Sequence, residues 1–228
     1  MENSAIDVIM ITKNSASHSP IFEKCLRSIY REIPVKRLLV IDAFSKDETL
    51  KILKKFPKVE VHHLMGNRAV ARQYGIQQVE TDFFMFVDDD VILRKNWFKV
   101  AQRHITPKIG LIWGWDKVTN PHARNRMKVM YYLRRMDEYS LMLRNFINRG
   151  GLHDTLIRLE AVKGIEIPKD LHVYEDWYIK FFVEKRGYKA IAPRDVWCYH
   201  HLSPKYTLSL LTQIASLQKK YGLQSDFI

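Results

Sequence analysis

Cysteine is almost missing from this chain of 228 residues: Cys25 and Cys198 are the only two, and they are far apart in sequence. A disulfide-stapled scaffold is thereby excluded, and reduced thiols are the simpler reading. With Gly 9 and Pro 8, the chain is too poor in both for a fibrous or low-complexity class. Residues 1–7 carry neither a basic stretch nor an apolar core, so they do not read as a secretory signal. Apolar runs such as Phe83–Val87 are short, and none approaches the ~18 residues needed to cross a bilayer. These absences point to a soluble domain on the cytoplasmic side. A domain detached from a membrane anchor would read the same way.

The chain is rich in apolar residues (46%) and aromatics (12%), which argues against disorder. At this length one domain is expected, burying roughly 70% of its unfolded surface. Lys and Arg total 37 against 25 Asp and Glu, a formal charge of +12. Such an excess implies an anionic partner: nucleic acid, a lipid surface or a phosphorylated small molecule. A basic surface that serves only solubility is the plain alternative, and charge alone does not choose.

Residues 6–11 read as a buried strand ending in the polar stretch Thr12-Lys13-Asn14-Ser15. Ser19-Pro20 then offers an N-cap with proline at the first helical position. Residues 38–41 form a second buried strand ending at Asp42. Ser45-Lys46-Asp47-Glu48 has the form of a capping box, which predicts a helix running to about Phe56. A strand over 59–64, a helix over 67–79 and a strand over Phe83–Val87 complete a β-α-β-α-β-α-β pattern. Continuous apolar strands with amphipathic helices predict a parallel sheet covered on both faces. In such sheets ligands lie beyond the carboxyl ends of the strands. Here those ends carry Thr12 to Asn14, Asp42 and Asp88-Asp89-Asp90.

The second half is less regular. Strands are expected at 111–113, 155–158, 188–191 and 196–200, a long helical segment, whole or broken, over 125–146, and helices over 175–186 and at the C-terminus. Leu210, Ile214, Leu217 and Tyr221 give that last helix its spacing.

Asp88-Asp89-Asp90 is the strongest chemical signal. Adjacent carboxylates repel one another, so a fold does not gather them for stability. In extended chain Asp88 and Asp90 point to one side, and with water they suit Mg²⁺ or Mn²⁺ shared with substrate phosphates. A solvated turn is the plain alternative. Glu175-Asp176 opens a helix, where acids also favour the macrodipole; a carboxylate there can equally serve as a general base. Lys13, Arg68 and Arg72 lie near strand ends and can meet a diphosphate, with Asn67 capping the helix that carries both arginines. His200-His201 could complete a metal shell for Mn²⁺. Cys198 beside them suggests zinc, but no second Cys/His pair stands at ligand spacing, so zinc is discounted. Gly150-Gly151 marks either a close backbone approach or a turn.

From about Asp7 to His201, the chain resembles a family 2 glycosyltransferase of the GT-A fold. The likeness is carried by residues 8–14, 40–49 and 86–90, by Ala71-Arg72, by Gly150-Gly151 through Arg158-Leu159-Glu160-Ala161, and by Glu175-Asp176-Trp177. It implies a single domain built on a mainly parallel Rossmann-like sheet. Residues 1–104 would form the nucleotide-binding half, 105–202 a mixed acceptor half and 203–221 an amphipathic helix. It also implies a nucleotide-sugar donor and a divalent cation, Mn²⁺ or Mg²⁺. Thr12, Lys13, Asn14, Asp42, Arg68, Arg72, Asp88 and Asp89 would hold the donor. Asp88, Asp90 and His200 or His201 would meet the metal. Asp176 would be the base of an inverting reaction with Glu175 as its companion, and Trp115, Gly150, Gly151 and Trp177 would face the sugar or acceptor. Ala43-Phe44 departs from the family's usual Asp-Gly after Asp42, and Gln73-Tyr74-Gly75 from its Asn-x-Gly. The Q-x-x-R-W motif of processive synthases is absent, which implies transfer of one sugar.

Several family 2 members move mannose or glucose from GDP-mannose or UDP-glucose onto polyprenyl phosphates or lipid-linked glycans, so GDP-mannose is the favoured donor and a UDP-sugar the alternative. Residues 122–149 interleave Arg124, Arg126, Lys128, Arg134, Arg135, Arg144 and Arg149 with Met127, Met130, Met136, Met142 and aromatics. Such a segment can lie on an anionic membrane at its cytoplasmic face, near a lipid-linked acceptor; its apolar residues can equally pack on the sheet. A sugar-nucleotide pyrophosphorylase would carry a Gly-rich loop after the first strand, where this chain has Thr12-Lys13-Asn14-Ser15-Ala16-Ser17. A nucleic-acid-binding protein would have no use for three adjacent aspartates, and no RRM, KH or zinc motif is present.

Overall fold

The computed structural model describes residues 5–202 and 208–223. The expectation for 203–207 lies outside the described residues. The first half runs β1 (Ile6–Thr12), α1 (Ser15–His18), α2 (Phe22–Glu32), β2 (Val35–Asp42), α3 (Thr49–Leu53), β3 (Val59–His63), α4 (Arg68–Gln77) and β4 (Phe83–Val87). Then come β5 (Val91–Leu93), α5 (Trp97–Gln102), β6 (Ile109–Trp113), β7 (Trp115–Val118), α6 (Pro121–Arg134) and α7 (Glu138–Arg149). The chain continues through β8 (Asp154–Arg158), a 3₁₀ turn at Leu159–Val162, α8 (Glu175–Lys185), β9 (Lys189–Ile191), β10 (Trp197–His200) and α9 (Leu208–Tyr221).

Among the described residues the main sheet has seven strands in the order β3-β2-β1-β4-β8-β6-β9. The first four are parallel; β8 enters antiparallel between β4 and β6. The apolar strands read as buried on both faces because both are covered. Ile9, Leu39, Ile41, Phe84 and Phe86 face a core shared with α4 and α8. Val8, Met10, Leu38, Val40, Met85 and Val87 face another with α2, α3 and α5. A second sheet of three strands, β5-β10-β7, caps the carboxyl edge of the first.

Two helix starts differ from expectation. Ser19 does not cap α2; it is buried and donates its hydroxyl to the Asp89 carbonyl at 2.9 Å, so the helix opens at Phe22. Ser45 does not open a capping box. Its backbone N–H and hydroxyl are both drawn to Asp42, and Asp47 instead accepts the Thr49 N–H at 3.0 Å, leaving only the short α3. Between α6 and α7 the chain breaks at Arg135, left-handed at φ 49°, and restarts on Asp137, which caps Ser140 N–H at 2.8 Å. Met142 and Phe146 are buried, and Met127, Met130, Tyr131 and Met136 pack partly against the core. Much of segment 122–149 therefore packs on the protein, while Val129, Tyr132, Leu133 and Ile147 stay exposed. No helix among the described residues is long and apolar enough to cross a membrane.

The start of β1 is anchored by charge. Asp7 is fully buried and takes two hydrogen bonds from Arg37, at 3.0 and 2.8 Å, and one from Glu80 N–H at 2.8 Å. Burial pushes its carboxyl up, but the Arg37 and Glu80 hydrogen bonds outweigh this and hold it below the usual range. Removing one partner of a buried pair strands the other, at a cost of about 3–5 kcal/mol. Arg37→Ala should cost that much in urea unfolding at pH 7. A depressed carboxyl contributes stability above its unfolded pKa and loses it as pH falls through the folded one. The gap between wild type and variant should therefore shrink below about pH 4; a gap independent of pH would refute this assignment.

Candidate active site

The carboxyl ends of β1 and β2 hold a closed set of hydrogen bonds around Asp42, which is fully buried. Thr12 Oγ1 donates to Asp42 Oδ1 at 2.9 Å, Ser45 N–H to Oδ2 at 2.8 Å, and His63 Nδ1 lies 3.2 Å from Oδ2. Asn14, left-handed at φ 53°, bonds Ser45 Oγ through its N–H at 2.8 Å and accepts the Lys46 N–H at 2.8 Å. Lys13 is exposed beside it. Phe44 stands where the sequence departs from the family pattern. It is left-handed at φ 55°, half exposed, and stacked on His63 at 5.3 Å.

The next group is organised by Arg72. α4 starts at Arg68 because Asn67 caps it, accepting Val70 N–H at 3.2 Å. One turn on, Arg72 is buried, its guanidinium 4.8 Å from the Phe86 ring centre. Nη2 donates to Asp88 Oδ1 at 3.0 Å and Nε to Glu175 Oε1 at 3.3 Å. Burial pushes Asp88 up, but the Arg72 charge prevails and lowers it. Glu175 moves the other way: burial first, then the Asp176 charge, raise it despite Arg72 and Arg68. Arg68 itself is exposed at the helix start. Asp89 turns aside to His18, 3.1 Å away.

Asp90 meets His200. β10 lies between β5 and β7, with His200 opposite Val91 on one side and Val118 on the other. This register sets the imidazole between two carboxylates: Nε2 is 3.2 Å from Asp90 Oδ1 and Nδ1 is 3.1 Å from Asp116 Oδ2. His201 contributes its backbone, donating N–H to the Asp90 carbonyl at 2.8 Å. Behind Asp116 stands His153, Nε2 3.7 Å from Asp116 Oδ1, followed by Asp154 and Cys198. Asp116, His153 and His200 offer donor atoms within 4.8 Å of one another, a grouping able to hold a divalent cation. Carboxylate with imidazole suits Mn²⁺ better than Mg²⁺. Burial pushes Asp116 up, yet the imidazoles of His153 and His200 beside it carry it far below the usual range.

Asp116, His153 and Asp154 escape a sequence reading. Asp116 lies inside an otherwise buried strand, where an acid needs a partner, and His153-Asp154 follows Gly150-Gly151; those were the available signals. The second grouping, His153, Asp154 and Cys198, brings together ligand types that spacing in the sequence could not associate. Burial, with the Asp154 charge next, pushes the Cys198 thiol up.

At the start of α8, Asp176 Oδ2 lies 3.5 Å from Arg149 Nε, and Oδ1 accepts Trp177 N–H at 2.9 Å. The two glycines allow this approach. Gly150 is left-handed at φ 89°, and a Cβ on it would fall 2.8 Å from the Asp176 carbonyl oxygen; a Cβ on Gly151 would fall 2.4 Å from Trp113 Nε1. Gly150-Gly151 is thus a close backbone approach within the protein. Trp177 stacks on Phe181 at 5.3 Å. Trp115 is buried, its indole donating to the Arg194 carbonyl at 2.9 Å. The structure brings its neighbour Asp116 to the strand-end cluster.

Arg72→Met should lower stability by about 3–5 kcal/mol, because it strands two carboxylates. Adding Glu175→Gln should recover part of that loss in urea unfolding. Simple additivity of the two changes would show that the pair is not coupled.

The sequence pattern of the family described as Glycosyl transferase family 2 matches residues 7–156. No curated protein matches the chain. Among solved structures it is similar to the mannosyltransferase PcManGT from Pyrobaculum calidifontis, solved with GDP-Man and Mn²⁺ (TM-score 0.68, 16% identity, 96% of this chain and 64% of that one). Another is glucosyl-3-phosphoglycerate synthase from Mycobacterium tuberculosis, solved with Mn²⁺, UDP and phosphoglyceric acid (0.63, 17%, 97% and 80%). A third is TarS from S. aureus (0.69, 20%, 99% and 41%). The chain thus spans about two thirds of the first of these and less than half of the last. The likenesses carry the fold, a mixed α/β sheet of the GT-A type. With the family pattern covering most of the chain and its strand-end acids gathered on one edge, this protein belongs to glycosyl transferase family 2.

Proposed function

We propose that the chain is a metal-dependent, inverting glycosyltransferase that moves one hexose from a nucleotide sugar to an acceptor. GDP-mannose is the favoured donor, supported by the likeness to the enzyme solved with GDP-Man and Mn²⁺; a UDP-sugar is the alternative, supported by the synthase solved with UDP. One observation carries the reading. Arg72 holds Glu175, next to Asp176, against Asp88, two residues from Asp90. The expected base and the expected metal ligand are thereby held on one edge.

In this reading Thr12, Lys13, Asn14 and Asp42 take the base and ribose, and Arg68 with the N-terminus of α4 faces the diphosphate. Asp90 and His200, with Asp88 beside them, would hold a divalent cation, which would supply charge to the departing nucleoside diphosphate. Asp176 takes the proton of an acceptor hydroxyl on the opposite face of the sugar, giving inversion through an oxocarbenium-like transition state. Glu175, Gly150, Gly151, Trp115 and Trp177 shape the acceptor side.

The acceptor is lipid-linked in this reading. On α6, Val129, Tyr132 and Leu133 are 56%, 84% and 69% exposed at helical spacing. Arg124, Arg126, Lys128 and Arg135 surround them, and α6 holds no acidic residue. An apolar stripe amid cations fits an anionic membrane surface.

Thermal melting with GDP and UDP, each with Mn²⁺, Mg²⁺ or EDTA, tests the donor. At about 100 times its Kd a ligand adds about 2.7 kcal/mol. One nucleotide should stabilise only with metal, and Asp90→Ala should abolish the shift; no shift with any pairing would sink the reading. Asp176→Asn should lose nearly all transfer to a hydroxyl acceptor. If much activity survives, the acceptor is already ionised, as a phosphate would be. Co-sedimentation should favour anionic over zwitterionic vesicles, and Tyr132→Glu with Leu133→Glu should release the protein. Equal partition between the vesicles would rule out the membrane face.

A further inference from the structure

The line Asp90–His200–Asp116–His153–Asp154, partly exposed at its Asp90 end, can take a cation in two places. It could sit among Asp116, His153 and His200, or on the outer side of His200, beside Asp90. Hydrogen-bond direction decides between them. The Trp113 indole N–H can only donate, and it donates to His153 Nε2 at 3.2 Å. That nitrogen's lone pair is therefore already engaged. The other nitrogen of His153, Nδ1, lies 2.7 Å from Asp154 Oδ1, whose partner oxygen accepts the Trp97 indole N–H at 2.8 Å. His153 is thus held by groups on both sides and has no donor to offer.

His200 differs. Its Nδ1 faces Asp116 Oδ2 at 3.1 Å, and Asp116 is 6% exposed. A buried carboxylate accepts and does not donate, so it favours a proton on Nδ1; Asp90 Oδ1 acts likewise on Nε2, but its side chain is 26% exposed against 8% for Asp116, so the Nδ1 proton is the one a cation leaves in place. Nε2 is left toward Asp90 Oδ1, 3.2 Å away. Carboxylate, imidazole and cation in that order form an arrangement in which the outer carboxylate fixes ring orientation and tautomer. Space for it depends on Gly114. A Cβ there would fall 1.9 Å from Asp154 Oδ2, so a side chain would displace the acid that locks His153.

We propose that Asp116 is the positioning residue of the metal centre. It holds the His200 proton on Nδ1 and so presents Nε2 to a single divalent cation shared with Asp90. Trp113 and Asp154 keep His153 out of the coordination shell. The inference rests on the cation site of the proposed function and adds a residue outside it.

Two measurements test it without reference to turnover. Nitrogen-15 NMR of the wild-type imidazoles, with the ring neutral, should find the His200 proton on Nδ1; a proton on Nε2 would overturn the proposal without any variant. Electron spin resonance titration with Mn²⁺ alone should find one ion per chain. Asp116→Leu should weaken that ion by about 10–100-fold. Asp116→Asn should recover part of the loss, because its amide oxygen can still accept from Nδ1–H. A folded Asp116→Leu protein that binds Mn²⁺ as tightly as wild type, or a second ion lost with His153→Phe, would overturn the proposal alone. If Asp90→Ala and His200→Ala both bind Mn²⁺ like wild type, the metal reading itself falls, and this inference with it.

Discussion

The guanidinium of Arg72 is the constraint on which the rest of the site depends. It is buried and gives its donors to two carboxylates from distant segments. Asp88 ends a strand of the parallel half; Glu175 begins a helix 87 positions later in the chain. Glu175, buried alone, would carry a desolvation cost of several kcal/mol, and Asp88, with its side chain 30% exposed, a smaller one, so both acids gain from the arginine. A lysine could not replace it: one ammonium lacks the planar fork that reaches two acids in different directions, and it would not lie flat on Phe86 in the same way.

Three adjacent aspartates are tolerated because the fold separates their partners. Asp88 is paired with Arg72, Asp89 with His18 and Asp90 with His200. The three partners come from α4, α1 and β10, elements that approach the end of β4 from different sides. The repulsion that marks the triplet in the sequence is thus relieved by topology. β10 contributes most, since it is wedged between β5 and β7 and carries His200 into the gap between Asp90 and Asp116.

The parallel half was legible because its signals are local. The apolar runs of β1, β2 and β4 end in polar residues, and Asn67 sits where a cap should. The candidate residues on those strand ends, Thr12, Asn14, Asp42 and Asp88 to Asp90, could be placed on one edge from the same pattern. Arg72 could be placed on its helix, though not in its bridge. The second half was less legible for a physical reason. β5 and β7 are three and four residues long, too short for a periodicity to register, and their pairing with β10 is set by tertiary contact. Asp116 and His153 were hidden with them. Ser45 misled because a capping-box pattern is a statement about local hydrogen bonds, and a buried Asp42 three residues earlier competes for the same hydroxyl and N–H.

Among the described residues six non-glycine residues have positive φ, and three of them stand at the rim of this edge. Asn14, Phe44 and Tyr174 are non-glycine residues in left-handed conformations, at φ 53°, 55° and 76°. Such positions cost of order 1–3 kcal/mol each and persist only where the surroundings over-determine them. Each here has a visible restraint. Asn14 is tied to Ser45 and Lys46, Phe44 stacks on His63, and Tyr174 lies under the Arg149 guanidinium while its hydroxyl accepts from Gln218. Tyr174 immediately precedes Glu175, so its sharp backbone turn sets the direction in which α8 begins. That direction sends Glu175 inward to Arg72 and leaves Asp176 against Arg149, on the side where Gly150 has no Cβ to obstruct it. Neighbouring acids can take different partners, one buried against Arg72 and one partly exposed beside Arg149, because a strained residue and a glycine fix the helix start between them.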